Sequence, residues 1–312
     1  MRRVIVTVSA LPDSALPGLF QAADATSREG QRAFKRASAV RLVCAIAAAV
    51  SAAFAWSVGA RQLDLAAALT GLFFVGAVLV ELWLLAAKPA EAWYDGRALA
   101  ESAKTLAWRY AVGGAPFPVD APHADRQLAA DLEELVLDAP DTEIEPSTDP
   151  PVSAAMRALR EAGFAIRKSV YLDARIGGQI AWYSGKARYN RSRSRKWRSA
   201  LIAAELLGLA SAGARFAGVV TFDLPGIVAA AIGAGAAWLA IQQHESLVSS
   251  YSLTAEELST VRANLQDIGT ETEWAAQVAD AEEAISREHI MWRASRCSPR
   301  FVRRLNRHTE KP

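Results

Sequence analysis

Four stretches of the chain are apolar over about 18–24 residues each: 42–60, 65–87, 199–222 and 224–241. A bilayer's hydrocarbon core takes about 20 helical residues, and a soluble core helix would not repeat that length four times. Only Arg61, Gln62, Leu63 and Asp64 separate the first pair; Asp223 breaks the second pair, with Pro225 just after it. The pattern therefore predicts two membrane hairpins. The polar flanks at 22–40, 91–110, 152–198, 254–267 and 272–296 read as helix. In the last of these, Trp274, Val278, Ala281, Ile285, Glu288 and Trp292 recur at alternating steps of four and three, a coiled-coil-like seam. Between the pairs, 113–151 opens with Gly113 and Gly114 and holds seven prolines from Pro116 to Pro151. It reads as a linker with one short helix carrying Leu128, Leu132 and Leu135. The expected fold is an all-α integral membrane protein: two transmembrane helical hairpins, four spans, with long cytoplasmic helical extensions forming a bundle. The expected domains are a tail at 1–15, a first domain at 16–118, an acidic Pro-rich linker at 119–153, a second domain at 154–297 and a basic tail at 298–312.

Composition sharpens this picture. The chain of 312 residues is 52% hydrophobic yet 22% charged, with a net charge of only +2, so apolar and charged residues are segregated into blocks. Ten acids lie in 120–149 against the single base Arg126, whereas 186–198 carries seven bases and no acid. Lys and Arg crowd both flanks of the first hairpin and the flank before the second, and the two turns hold only Arg61. By the positive-inside rule both termini are expected in the cytoplasm, in a multi-pass inner-membrane protein. Cys44 and Cys297 offer no disulfide framework, and the four histidines lack metal-ligand spacing. No phosphate-binding loop and no nucleophile–histidine–acid set occurs, so neither an enzyme nor a cofactor is expected. The apolar start of the chain ends at Pro12, short even for a signal peptide, and reads as a short extended tail.

The spans insert with modest energy. In the first, Leu42, Val43, Ile46, Val50, Phe54 and Val58 contribute about −0.3 to −0.6 kcal/mol each, so helix packing must help. Small residues at four-residue spacing, Ala204, Gly208 and Ala212 and then Ala229, Gly233 and Ala237, suit close approach; Ala- and Gly-rich composition also makes such rows by chance.

The run Trp93-Tyr94, Arg97, Glu101-Ser102, Lys104-Thr105 and Trp108-Arg109-Tyr110 resembles the segment after the hairpin in the SLATT group, the SMODS- and SLOG-associating two-transmembrane effector domains. Arg167, Tyr171, Arg175, Gln179, Trp182-Tyr183 and Lys186-Ala187 are similar to that group's helix before the hairpin, and Glu282, Glu288-His289 and Trp292 to its closing helix. The resemblance covers about 16–118 and 154–297, a tandem. It implies a pore-forming membrane effector in prokaryotic conflict systems that signal with nucleotides. The trigger would be a nucleotide second messenger or a separate sensor protein.

Three ionisable residues fall inside the spans: Glu81, Glu205 and Arg215. Each costs about 2.5–3.5 kcal/mol at mid-helix and needs a reason. The two glutamates lie about 10 Å inside the basic collars at 1.5 Å per residue. They are candidates for the cation-selective inner mouth of a homo-oligomeric pore; the plainer reading is that each is neutral or reaches the collar. Arg215 most simply snorkels to the outer interface. Arg188, Arg191, Arg195 and Arg198 share a helix face and suit anionic lipid in the bilayer; binding of nucleic acid is not expected. Arg97 can pair with Glu101 one turn away. Glu288, on the apolar seam, needs a partner such as Arg175 or Arg167. These pairs are expected to set helix register, with a gate or ligand contact as the alternative. Gly177–Gly178, inside a long helix, points to close packing, a bend or a hinge. The rival to a pore is a non-conducting membrane scaffold or anchor, favoured by the scarcity of polar span residues. A small-ion transporter is a third option.

Overall fold

A computed structural model describes residues 10–58, 63–139, 144–145 and 147–294, with side chains of the final helix given to residue 286. A single 3-10 turn at Asp13–Ala15 precedes α1 (Gly18–Ala52), β1 (Ser57–Val58), β2 (Leu63–Asp64), α2 (Leu65–Ala87), α3 (Pro89–Val112) and α4 (Ala124–Leu137). The second half holds α5 (Ala154–Arg160), α6 (Phe164–Val170), a π-helical segment (Tyr171–Gly177), α7 (Gly178–Phe216), α8 (Leu224–Gln242), α9 (His244–Gln266) and α10 (Glu271–Ala294). The described residues are thus mostly helical. Much of the expected tails, the turn residue Arg61, part of the linker and Cys297 lie outside the described residues.

Local chemistry sets the helix ends. Asp64 caps α2, its Oδ1 accepting from Ala66 N at 2.9 Å and Ala67 N at 3.1 Å. Asp223 caps α8 in the same way, accepting from Gly226 N at 3.3 Å. Both return helices then end on one left-handed residue, Lys88 (φ 44°) and Gln243 (φ 49°), before the next helix begins. The two halves therefore share one plan: a long helix running into the apolar stretch, an Asp-capped return, and a one-residue break.

The outer ends differ from expectation. Helix α1 stops at Ala52, and β1 pairs antiparallel with β2, Ser57 opposite Asp64 and Val58 opposite Leu63. Leu65 N–H donates to Trp56 O at 2.8 Å, so the chain must turn extended for Asp64 to cap α2. Helix α7 stops at Phe216 because Gly218 takes φ +74°: its N–H reaches Arg215 O at 3.1 Å, and Val219 N–H reaches Ala214 O at 2.9 Å. That is a Schellman stop, and glycine adopts it without steric cost. Among the described residues, three helical stretches are long and apolar enough to cross a membrane: Leu65–Val112, Phe164–Phe216 and Leu224–Gln266, contiguous helices taken together. Helix α1 falls short because Lys35, Arg36 and Arg41 directly precede its apolar end.

The chain forms two compact units, and neither is a half of the sequence. One comprises 1–31, 90–182 and 254–312; the other comprises 32–89 and 183–253. The first has an apolar core in which Trp274, Tyr171, Ile176, Met156, Leu159 and Leu128 are fully buried. Rings meet edge to face, Trp108 with Tyr171 at 6.0 Å and Tyr171 with Trp274 at 5.6 Å. Along α10, Trp274, Val278, Ala281 and Ile285 are buried in this core. The linker helix α4 joins it through Leu128 and Leu132, and Asp125 receives the Tyr110 hydroxyl and Arg157 Nε. A Cβ at Gly96 would lie 2.9 Å from Ala23 O and Ser27 N, so α1 and α3 approach there at backbone distance.

In the second unit Leu72, Leu79, Leu85, Leu206, Leu209 and Phe216 stand exposed. So much bare apolar surface suits a lipid solvent. Ser51 and Thr70 hydroxyls meet at 2.8 Å between α1 and α2. Helices α7 and α8 approach at Gly208, where a Cβ would lie 3.4 Å from Val228, and at Gly235, where it would lie 3.1 Å from Leu201. Gly233 and Ala229 face outward instead, so the contacting row on α8 is Val228, Ala234 and Gly235.

Candidate functional site

Each intramembrane charge meets a different environment. Arg41, at the end of the polar part of α1, donates to the Glu81 carboxylate on α2, and both are partly exposed. Glu81 is thus held by the basic collar. Arg215 donates to Asp223 in the turn between α7 and α8, where both charges can reach an interface. Glu205 lies on the exposed side of α7 and has no hydrogen bond or ion pair among the described residues.

The basic face of α7 stands opposite a polar seam. Arg188, Arg191, Arg195 and Arg198 are exposed, whereas Tyr183, Ala187, Asn190 and Ser194 are buried. That seam joins the start of α9: His244 Nδ1 lies 2.7 Å from Asn190 Oδ1, and Ser194 Oγ donates to Glu245 at 3.0 Å. Arg198 pairs with the same Glu245 carboxylate. Burial, then the charges of Arg193 and Lys35, holds His244 below the ordinary histidine pKa. Lys35 is itself lowered, chiefly by burial.

The first unit contains a buried ionic cluster built from three elements. Glu282 on α10 has no exposure, and four hydrogen bonds converge on its carboxylate. Arg175 reaches it with Nε (2.8 Å) and Nη2 (2.7 Å), a bidentate fork. The Tyr171 hydroxyl donates at 3.0 Å, as does Thr105 Oγ1 from α3. Tyr171 and Arg175 both lie in the π-helical segment. A Cβ at Gly177 would come within 3.1 Å of Leu172 O, which is why glycine suits the segment's end. Burial alone would lower the Arg175 pKa, but the charge and hydrogen bonds of Glu282 outweigh it and leave the guanidinium firmly protonated. Burial and Glu282 also push Tyr171 well above the usual phenol range.

Arg97 Nη2 lies 2.7 Å from Glu101 Oε1 one turn along α3. Arg167, also buried, bonds the carbonyls of Ala162 and Val112 and pairs with Glu271. The carboxylate that meets Arg175 is therefore Glu282, and the one that meets Arg167 is Glu271; the Glu288 side chain lies outside the described ones. Glu282 sits four residues after Val278 of the seam, and an acid flanking an apolar seam is the signal that marks it. Among the described residues no cluster of His, Cys, Asp and Glu could hold a metal ion.

The family model for the SMODS and SLOG-associating 2TM effector domain 3 matches residues 17–168, and that for domain 1 of the same series matches residues 171–292. No curated protein and no solved structure matches the chain.

Proposed function

This chain belongs to the SLATT family as a tandem of two such domains, and from that premise we propose that it is a membrane effector whose copies assemble into a gated pore. Each domain contributes a two-helix hairpin, so the tandem crosses the membrane four times. The first crossing is the shortest as helix. Residues 42–52 span about 16 Å at 1.5 Å each; Phe54 and Trp56 follow beyond the helix end as aromatic-belt residues, before the two-residue strand Ser57–Val58. The Lys and Arg collars put both termini and the first unit in the cytoplasm of a prokaryotic inner membrane. The role is conduction rather than catalysis, in a defence response started by a nucleotide messenger or a sensor protein.

Glu205 is the observation that carries this reading. An unpartnered carboxylate facing hydrocarbon costs about 2.5–3.5 kcal/mol. Packing that face of α7 against further copies around a water-filled axis removes the cost and supplies a cation-attracting ring. Glu81, already paired with Arg41, is the control. In liposomes, the wild-type chain should pass cations over anions, Glu205→Gln should lose most of that preference, and Glu81→Gln should keep it. A wild-type protein that leaks nothing, with or without candidate nucleotides, would instead support a non-conducting scaffold.

A further inference from the structure

Two helices of the second unit bring bases together near the membrane edge. On α7, Lys186, Tyr189 and Arg193 follow helical steps of three and four and are exposed. Arg193 Nε donates to the Tyr189 hydroxyl oxygen at 3.1 Å, and its guanidinium carbon lies 5.5 Å from the ring centre. Lys186 Nζ lies 6.0 Å from the same centre. Lys35, half-buried on α1, is within electrostatic reach of Tyr189, Lys186 and His244. Three bases from two helices thus gather about one phenol. Glu245, the acid at the start of α9, is engaged by Ser194 and Arg198. Arg193 has no carboxylate partner among the described residues, whereas Arg41 and Arg198 each hold one. Its two Nη groups and the Tyr189 proton are therefore donors without a protein acceptor among the described residues.

Position selects the anion. Arg193 stands six residues before the apolar stretch that begins at Ser199, and Lys35 seven before the one at Leu42. Both therefore lie about 10 Å outside the hydrocarbon at 1.5 Å per residue, a depth from which long basic side chains snorkel to the headgroups. At 3.6 residues per turn, Arg188, Arg191 and Arg195 fall on the other flank of the buried seam of Tyr183, Ala187, Asn190 and Ser194. We propose that Lys35, Tyr189 and Arg193 form a site for the phosphate of an anionic phospholipid headgroup in the adjacent leaflet, with Lys186 adding to its field. The site does not depend on conduction, and lipid binding is read directly. Its occupancy has a reporter. The charges of Arg193 and Lys35 both act on His244, so a phosphate beside them should raise the His244 pKa. That ring otherwise meets Asn190 of α7 and adjoins Glu245 on α9, and binding leaves both unchanged.

Titration of the full chain in neutral detergent tests it, with short-chain phosphatidylglycerol as the probe and phosphatidylcholine of the same chain length and inorganic phosphate as comparisons. Phosphatidylglycerol should bind saturably and phosphatidylcholine at least about fivefold more weakly, the factor that one base near a membrane surface contributes. Arg193→Gln, at an exposed position, and Lys35→Gln should each weaken phosphatidylglycerol binding about fivefold. Arg191→Gln and Arg195→Gln, on the other flank, should leave it unchanged. The His244 ring signal in nuclear magnetic resonance, assigned by its loss in His244→Gln, should titrate at higher pH with phosphatidylglycerol than with phosphatidylcholine. No preference for phosphatidylglycerol, equal losses from the two flanks, or an unmoved His244 titration would overturn the proposal. Inorganic phosphate binding as tightly as the lipid would overturn it too, since the ligand would then be a free anion.

Discussion

Glu282 shows how much one residue can hold. Its carboxylate joins α3, the π-helical segment and α10 through four hydrogen bonds with no access to water. Replacing the pair with apolar side chains could be neutral, but removing one partner leaves a bare buried charge. Glu282→Ala is therefore expected to destabilise the first unit by about 3–5 kcal/mol, read as a fall in the denaturation midpoint of the purified protein. The exposed pair of Arg157 and Asp125 should matter far less. His244 provides a titration. Its folded pKa lies below the ordinary 6.5, so the unfolded chain takes up the proton first. Stability from the neutral ring is present above pH 6.5 and is lost as pH falls through the lower folded value. Melting temperature should therefore drop as pH falls below 6.5, and His244→Gln should flatten that dependence.

At the scale of elements, sequence was most informative where hydropathy and a cap agree. The stretch 65–87 coincides with α2 because Asp64 starts the helix and Lys88 with Pro89 ends it. Helix α8 runs one residue past the expected 241. The other two stretches overshoot at their outer ends, 60 against Ala52 and 222 against Phe216. Hydropathy sums side chains and is blind to backbone geometry, whereas these ends are set by a Schellman glycine and a two-residue ladder. The π-helical segment has no period of its own to read; only Gly177–Gly178 hinted that the helix departs from regularity there.

At the scale of the molecule, the domains of the family and the compact units cut the chain differently. The family models divide it near residue 170, yet the first unit takes residues from both sides of that division. Its core needs Trp108 and Tyr110 from one half and Tyr171 and Trp274 from the other. Residues 1–150 or 151–312 expressed alone should therefore lack a protease-resistant extramembrane core, and co-expression should restore it; a resistant core in either fragment alone would contradict this. Sequence by itself determined which segments prefer lipid and which prefer water, because transfer free energies add residue by residue along the chain. It also placed Arg97 one turn from Glu101. Only the tertiary structure decided which distant charges meet: Arg175 with Glu282 across 107 positions and Arg41 with Glu81 across 40. Such pairing depends on how helices pack in space, and no sum along the chain contains that distance.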